Sequence, residues 1–214
     1  MTAHPMLRYA LFAIVAFVLG LFLASQLLAP RGAPVPVAEQ ATILPQPRPL
    51  AAFDLVDQED SPFTMEQLRQ GWTIVFFGFT QCPDVCPTTL SLLAQTKKQL
   101  EDLPPAQQPR VLLISVDPER DTPAVLKPYV TFFHPAFLGA TGTPAGVKQA
   151  AAAFGVPYQK MQLPGGGYTM DHGAGIFIVA PGGGLAAYSS APHVADVLAR
   201  DFRKVVQFFE ETQR

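Results

Sequence analysis

Residues 73–87 read Thr73-Ile74-Val75-Phe76-Phe77-Gly78-Phe79-Thr80-Gln81-Cys82-Pro83-Asp84-Val85-Cys86-Pro87. The run from Thr73 to Phe79 is β-branched and aromatic with almost no polar break, the pattern of a strand buried on both faces. Pro87 suits the first position of a helix, where a missing N–H does no harm. The segment from Thr88 to Leu100 carries Leu90, Leu92, Leu93 and Leu100 and is predicted helical. The two cysteines of the chain, Cys82 and Cys86, therefore lie in a strand-to-helix turn. A turn at the C-terminal end of a central strand is where α/β folds place their sites. The N-terminus of a helix favours negative charge and lowers the pKa of a thiol. Three residues separate the sulfurs, so both can face one point. The stretch reads as a soft-metal or redox site; a structural disulfide or a pair of inert buried thiols is the alternative that spacing leaves open.

Outward from this turn, strands and helices alternate. Phe53 to Val56 reads as a short strand, and Thr64 to Gln70 as a short helix capped by Thr64 and stopped by Gly71. Val111 to Val116 is a second buried strand. Asp121 or Thr122, with Pro123, opens a helix to about Phe133. Phe137 to Ala140 is strand-like, and Ala145 to Phe154 is a helix stopped by Gly155. Val156 to Met161 reads as an edge strand because of Pro157, and Leu163 to Gly167 as a glycine turn. Ile176 to Ala180 and Leu185 to Tyr188 form a hairpin around Pro181-Gly182-Gly183-Gly184, and His193 to Glu211 is a final amphipathic helix. This order predicts an α/β domain, 50–214, with a mixed central sheet.

The N-terminus reads differently. Tyr9 to Pro30 carries no charge and is long enough for a bilayer, which takes about 20 residues. Residues 1–8 are expected as a short tail, 9–29 as an uncleaved transmembrane signal-anchor, and 30–49, rich in proline, as an extended linker. That organisation implies a single-pass protein of the bacterial inner membrane with its domain in the periplasm. With 15 Lys and Arg against 17 Asp and Glu, the chain offers no basic patch and no nucleic acid is expected as partner.

Of four histidines, His172 stands out by place. It directly precedes the strand at Ile176, which in a thioredoxin-like sheet lies beside the cysteine turn. Gly173 and Gly175 leave the backbone room to approach a bound group. His134 and His193 have no such position and read as structural, as do Trp72 and Tyr168. Two thiolates and one imidazole suit Cu(I), tolerate Cu(II), and hold zinc with a fourth ligand, whereas Mg²⁺ and Ca²⁺ prefer oxygen. Asp84, between the cysteines, either caps the turn or tunes the site. Met161 and Met170 read as packing rather than auxiliary ligands.

The run Gly78 to Leu90 resembles the signature of the Sco/SenC copper proteins. Ser115-Val116-Asp117-Pro118-Glu119-Arg120-Asp121-Thr122-Pro123 resembles their second motif. Thr141-Gly142-Thr143, and Asp171-His172 followed by Ile176-Phe177-Ile178, resemble the third and fourth. The likeness spans about Leu50 to Glu210. It implies a membrane-anchored thioredoxin-like domain that binds copper through Cys82, Cys86 and His172. It also implies a copper donor protein upstream and, downstream, assembly of the copper A centre of cytochrome c oxidase subunit II. Two departures are visible. Gly173 and Gly175 stand where the family often has Ser and Ala, and Ala180-Pro181-Gly182-Gly183 replaces an Asp-Pro-Asp-Gly hairpin.

Two functions compete. A metallochaperone needs a site that loads and unloads. A thiol–disulfide oxidoreductase, with Cys82 and Cys86 as a redox-active pair, would reduce the target's copper-ligand cysteines. The spacing of three residues rather than the two of thioredoxins, the third ligand His172 and the lack of proline between His172 and Gly175 favour the chaperone. A peroxidase would require Arg120 beside a low-pKa cysteine and ranks last.

Overall fold

The computed structural model describes residues 5–28 and 34–212. They form two units, the first ending at Pro34 and the second running from Val35. In the first, helix α1 (Pro5–Leu28) covers most of the expected span and begins inside the expected tail. Among the described residues no helix is long and apolar enough to cross a membrane.

The second unit is built on one sheet. Its strands are β1 (Ala41–Pro49), β2 (Leu55–Asp57), β3 (Pro62–Phe63), β4 (Thr73–Gly78), β5 (Arg110–Ser115) and β6 (Phe137–Thr141), then β9 (Ile176–Val179) and β10 (Gly184–Ser189). The order across the sheet is β1-β10-β9-β4-β5-β6-β2-β3. β4, β5 and β6 are parallel, and β9 lies antiparallel on the other side of β4. All six residues of β4 are buried, as its unbroken apolar run requires. The mixed α/β sheet expected from the sequence is thus observed.

The helices follow their local signals. α2 (Met65–Arg69) opens on Thr64, whose side chain and that of Gln67 form a capping box. α3 (Val85–Gln99) joins β4 to β5, and α4 (Pro123–Phe133) joins β5 to β6. α5 (Pro144–Phe154) stops at Gly155, which adopts the left-handed conformation at φ 75°. α6 (Ala195–Thr212) buries Leu198, Phe202, Val205 and Phe209, with Trp72 edge-on to Phe202 at 5.8 Å.

Three expectations are corrected. α3 begins at Val85 rather than Thr88, so Cys86 lies inside its first turn and Pro87 is third. This is tolerated because the first helical N–H groups have no partner within the helix. The segment from Val156 is no edge strand of the main sheet: β7 (Tyr158–Gln162) and β8 (Tyr168–His172) form a separate two-stranded hairpin. And the linker ends early. Residues 41–49 are β1, the sheet's edge strand, paired with β10 across a register break between Ile43 and Arg48.

One carboxylate ties β1 in. Asp201 on α6 is fully buried and accepts from the backbone N–H groups of Glu39, Gln40 and Ala41 at 2.7, 2.8 and 2.9 Å. Bonds to a buried charge carry more than a surface pair such as Arg200–Glu39. Asp201→Ala should lower the unfolding free energy by about 3 kcal/mol, and Glu39→Ala should leave it almost unchanged. Urea denaturation of both variants checks this; equal effects would refute it.

Candidate metal centre

The sheet register brings the cysteine turn and the loop after β5 together. Gly78 pairs with Ser115 at the ends of β4 and β5, and the Val116 N–H donates to Gly78 O at 2.9 Å. The two chains leaving these strands then meet through Asp121. This carboxylate is fully buried. It accepts from Thr80 N at 3.0 Å, Thr80 Oγ1 at 2.5 Å and Ser115 Oγ at 2.6 Å. Burial raises its pKa, while the Ser115 and Thr80 donors pull it back. Of the two capping candidates, Asp121 and Thr122, Thr122 is the N-cap of α4, and Asp121 instead fixes Thr80, two residues before Cys82.

Cys86 points into the core and is fully buried, whereas Cys82 is half-buried; both thiols are free. Gly78 makes room for Cys86: a β-carbon there would sit 2.9 Å from Cys86 Sγ and 3.0 Å from the Phe76 ring. Burial pushes the Cys86 thiol well above its ordinary pKa, reinforced by the neighbouring Cys82 and Asp121 and only partly offset by a hydrogen bond from the Phe79 backbone. The lowering expected from the helix N-terminus is overcome for Cys86, because desolvation of a fully buried sulfur is the larger effect. Asp84 occupies the N-cap position of α3 without a side-chain capping bond; its Oδ1 accepts from Thr88 Oγ1 at 3.4 Å.

His172 closes β8 and faces Cys86, with Nε2 3.7 Å from Sγ. Its ring sits edge-on to Phe76 at 6.2 Å and to Phe79 at 5.9 Å. Nδ1 lies 3.0 Å from Gly173 O. With Nδ1 as donor, Nε2 carries its lone pair toward the sulfur, the arrangement found behind metal-bound histidines. Cys82 Sγ accepts from Cys86 N at 3.4 Å, a bond across one turn of chain. Cys86 and His172 are thus brought face to face, and Cys82 stands beside them with its sulfur turned to the backbone. Among the described residues no three His, Cys, Asp or Glu side chains are drawn close enough to hold a metal as they stand.

By sequence His193 and Tyr168 read as plain structure, and Arg120 as the loop candidate for a peroxidase, the reading ranked last. In the fold His193 Nε2 lies 2.8 Å from Ala174 O and so fastens the loop that follows His172. Arg120 pairs with the buried Asp117 through Nε. Its Nη1 donates to Gln81 Oε1 at 3.1 Å and Tyr168 O at 3.0 Å. The signal available was topological: loops leaving the C-terminal ends of adjacent parallel strands converge. His134, by contrast, lies against Phe137 with ring centroids 5.3 Å apart, outside this cluster.

Comparison with known proteins gives a consistent result. A family profile described as SCO1/SenC matches residues 43–207. A Stutzerimonas stutzeri protein whose name proposes copper binding is 39% identical over 166 residues, 74% of this chain and 77% of its own. A bovine mitochondrial SCO2 homolog is 35% identical over 166 residues, 76% of this chain, and the match spans only 61% of its length. Among solved structures, Arabidopsis thaliana ScoI with copper bound superposes with a TM-score of 0.69 at 31% identity, covering 76% of this chain and 98% of that one. Apo Sco1 from Thermus thermophilus gives 0.64 at 39%, covering 82% and 99%.

The different burial of the two sulfurs is directly testable. Iodoacetamide at pH 8, with sites mapped by mass spectrometry, should modify Cys82 well ahead of Cys86 in the folded protein, the two becoming equal in denaturant. Gly78→Ala should lower stability by about 1–3 kcal/mol and expose Cys86 to the reagent. Equal labelling of the two thiols in the native protein would contradict this geometry.

Proposed function

The chain belongs to the SCO1/SenC family, and from that premise we propose that its domain carries one copper ion on Cys82, Cys86 and His172 and delivers it to the copper A site of cytochrome c oxidase subunit II. The observation that carries this reading is the separation of 3.7 Å between Cys86 Sγ and His172 Nε2. Metal–sulfur and metal–imidazole bonds of about 2.3 and 2.0 Å, opened to about 110–120°, put the two donors roughly 3.5–3.7 Å apart. Cys86 and His172 are therefore spaced as two ligands of one small soft ion. Cys82, whose sulfur now accepts from the Cys86 N–H, completes the set by turning toward them. A site with two donors preset and a third that must turn in suits cargo that must be taken up and released. Each thiol that binds as thiolate releases its proton.

The copper ion is received from a donor protein. The proposed anchor is the N-terminal segment, on the strength of its charge-free run from Tyr9 to Pro30, and it would hold the domain at the periplasmic face of a bacterial inner membrane. The thiol–disulfide reading has the same two sulfurs to work with. It is the weaker one, because exchange requires an attackable or attacking second sulfur and Cys86 is fully buried.

A soluble domain spanning 35–214, reduced and kept free of oxygen, is titrated with Cu(I) against a competing chelator. One-to-one binding that weakens about ten-fold or more in His172→Ala is expected. Binding indifferent to His172 would overturn the ligand set, and the domain would then be assayed as a dithiol reductant.

A further inference from the structure

The hairpin that carries His172 is not part of the main sheet: β8 takes its ladder from β7 alone. Its position must be fixed by side chains at each end. At the His172 end the ring wedges against Phe76 and Phe79. At the other end stands Tyr168, four residues away and about 13 Å along an extended strand. The Tyr168 ring lies between two cations, with Arg120 Cζ 3.8 Å and Lys160 Nζ 3.9 Å from its centroid. Its hydroxyl donates to Asp117 Oδ1 at 2.9 Å, and Arg120 Nη1 holds its carbonyl at 3.0 Å. Lys160 is itself paired with Glu119 at 2.6 Å. Arg120 also reaches Gln81, next to Cys82, at 3.1 Å.

We propose that Arg120 is a positioning residue: clasping Tyr168, Asp117 and Gln81 together, it sets the placement of His172 relative to the cysteine turn and so the affinity of the site. Among the described residues its fork is the only charged group hydrogen-bonded to both segments at once. A planar guanidinium can bond in two directions while stacking on a ring, which an ammonium cannot do. The surface pair Lys160–Glu119 is the lesser part, since exposed ion pairs contribute little. Asp117, by contrast, is buried, so its bonds to Arg120 and Tyr168 are the ones that hold.

The copper arm of the test rests on the function proposed above; the exchange arm does not. Arg120→Gln and Arg120→Lys are compared with the parent domain, each with and without His172→Ala, by Cu(I) competition and by amide hydrogen exchange of the metal-free protein. Arg120→Gln should weaken Cu(I) binding by about ten-fold or more, within the range seen when partners of ligands are removed. Arg120→Lys should fall between it and the parent. In the His172→Ala background the same change should matter less than about two-fold, the sign of coupling between the two positions. Without metal, exchange in Tyr168–His172 should quicken about ten-fold or more while β4 and β5 amides stay unchanged. An equal loss of affinity in both backgrounds, or unchanged exchange in the hairpin, would overturn the proposal. If the parent domain binds no Cu(I), the copper reading fails while the exchange result still decides the role of Arg120.

Discussion

The buried carboxylate of Asp121 is the constraint on which the cysteine turn depends. A turn between a strand and a helix has backbone groups that neither element can satisfy, and burying them without partners is destabilising by roughly 1–3 kcal/mol each. Asp121 accepts the Thr80 N–H and the hydroxyls of Thr80 and Ser115, so one side chain fixes the exit of β4 to the exit of β5. Burial opposes its ionisation, and the three donors offset that opposition only in part, so its pKa stays raised. Everything that follows Thr80 in the chain, including both sulfurs, starts from a point that is held.

The loop from Asp117 to Asp121 therefore braces both halves of the site. Its last residue grips the cysteine turn; its first, with Arg120, grips the strand that ends in His172. The segments that carry the cysteines and His172 lie far apart in sequence and share no strand pairing among the described residues, yet a single five-residue loop is bonded to each. The loop is dense in charge, and each charge has partners: Asp117 pairs with Arg120, Glu119 with Lys160 of the hairpin, and Asp121 is held by the three donors from Thr80 and Ser115, where isolated charges would be costly to bury.

Much of this was legible in the chain. The apolar run of β4, the capping residue Thr64, Gly155 at the end of α5 and the hairpin around Gly182 each state their local structure, because backbone chemistry at those positions allows few alternatives. The approach of His172 to Cys86 followed from topology once a strand was placed at Ile176. What was not legible depends on contacts distant in sequence. Pro45, Pro47 and Pro49 look like a tether until Asp201 and β10 are known to receive that segment. The thiol pKa of Cys86 depends on the depth of the core around it, and a helix start alone gives the opposite sign. Arg120 and Tyr168 carry no local signal of their partnership.

The edges of the sheet have a consequence for the protein in concentrated solution. An unpaired strand edge offers a row of donors and acceptors on which another chain can add, and this is a common start for aggregation. Here β1 ends one side and contains Pro45, Pro47 and Pro49, and its register breaks after Ile43. The opposite side ends in β3, two residues long and beginning with Pro62. Proline has no N–H to offer, and a broken or two-residue edge gives a newcomer little length to align with. Neither margin is a template for chain addition, so a domain with a broad sheet of eight strands is protected against stacking edge to edge.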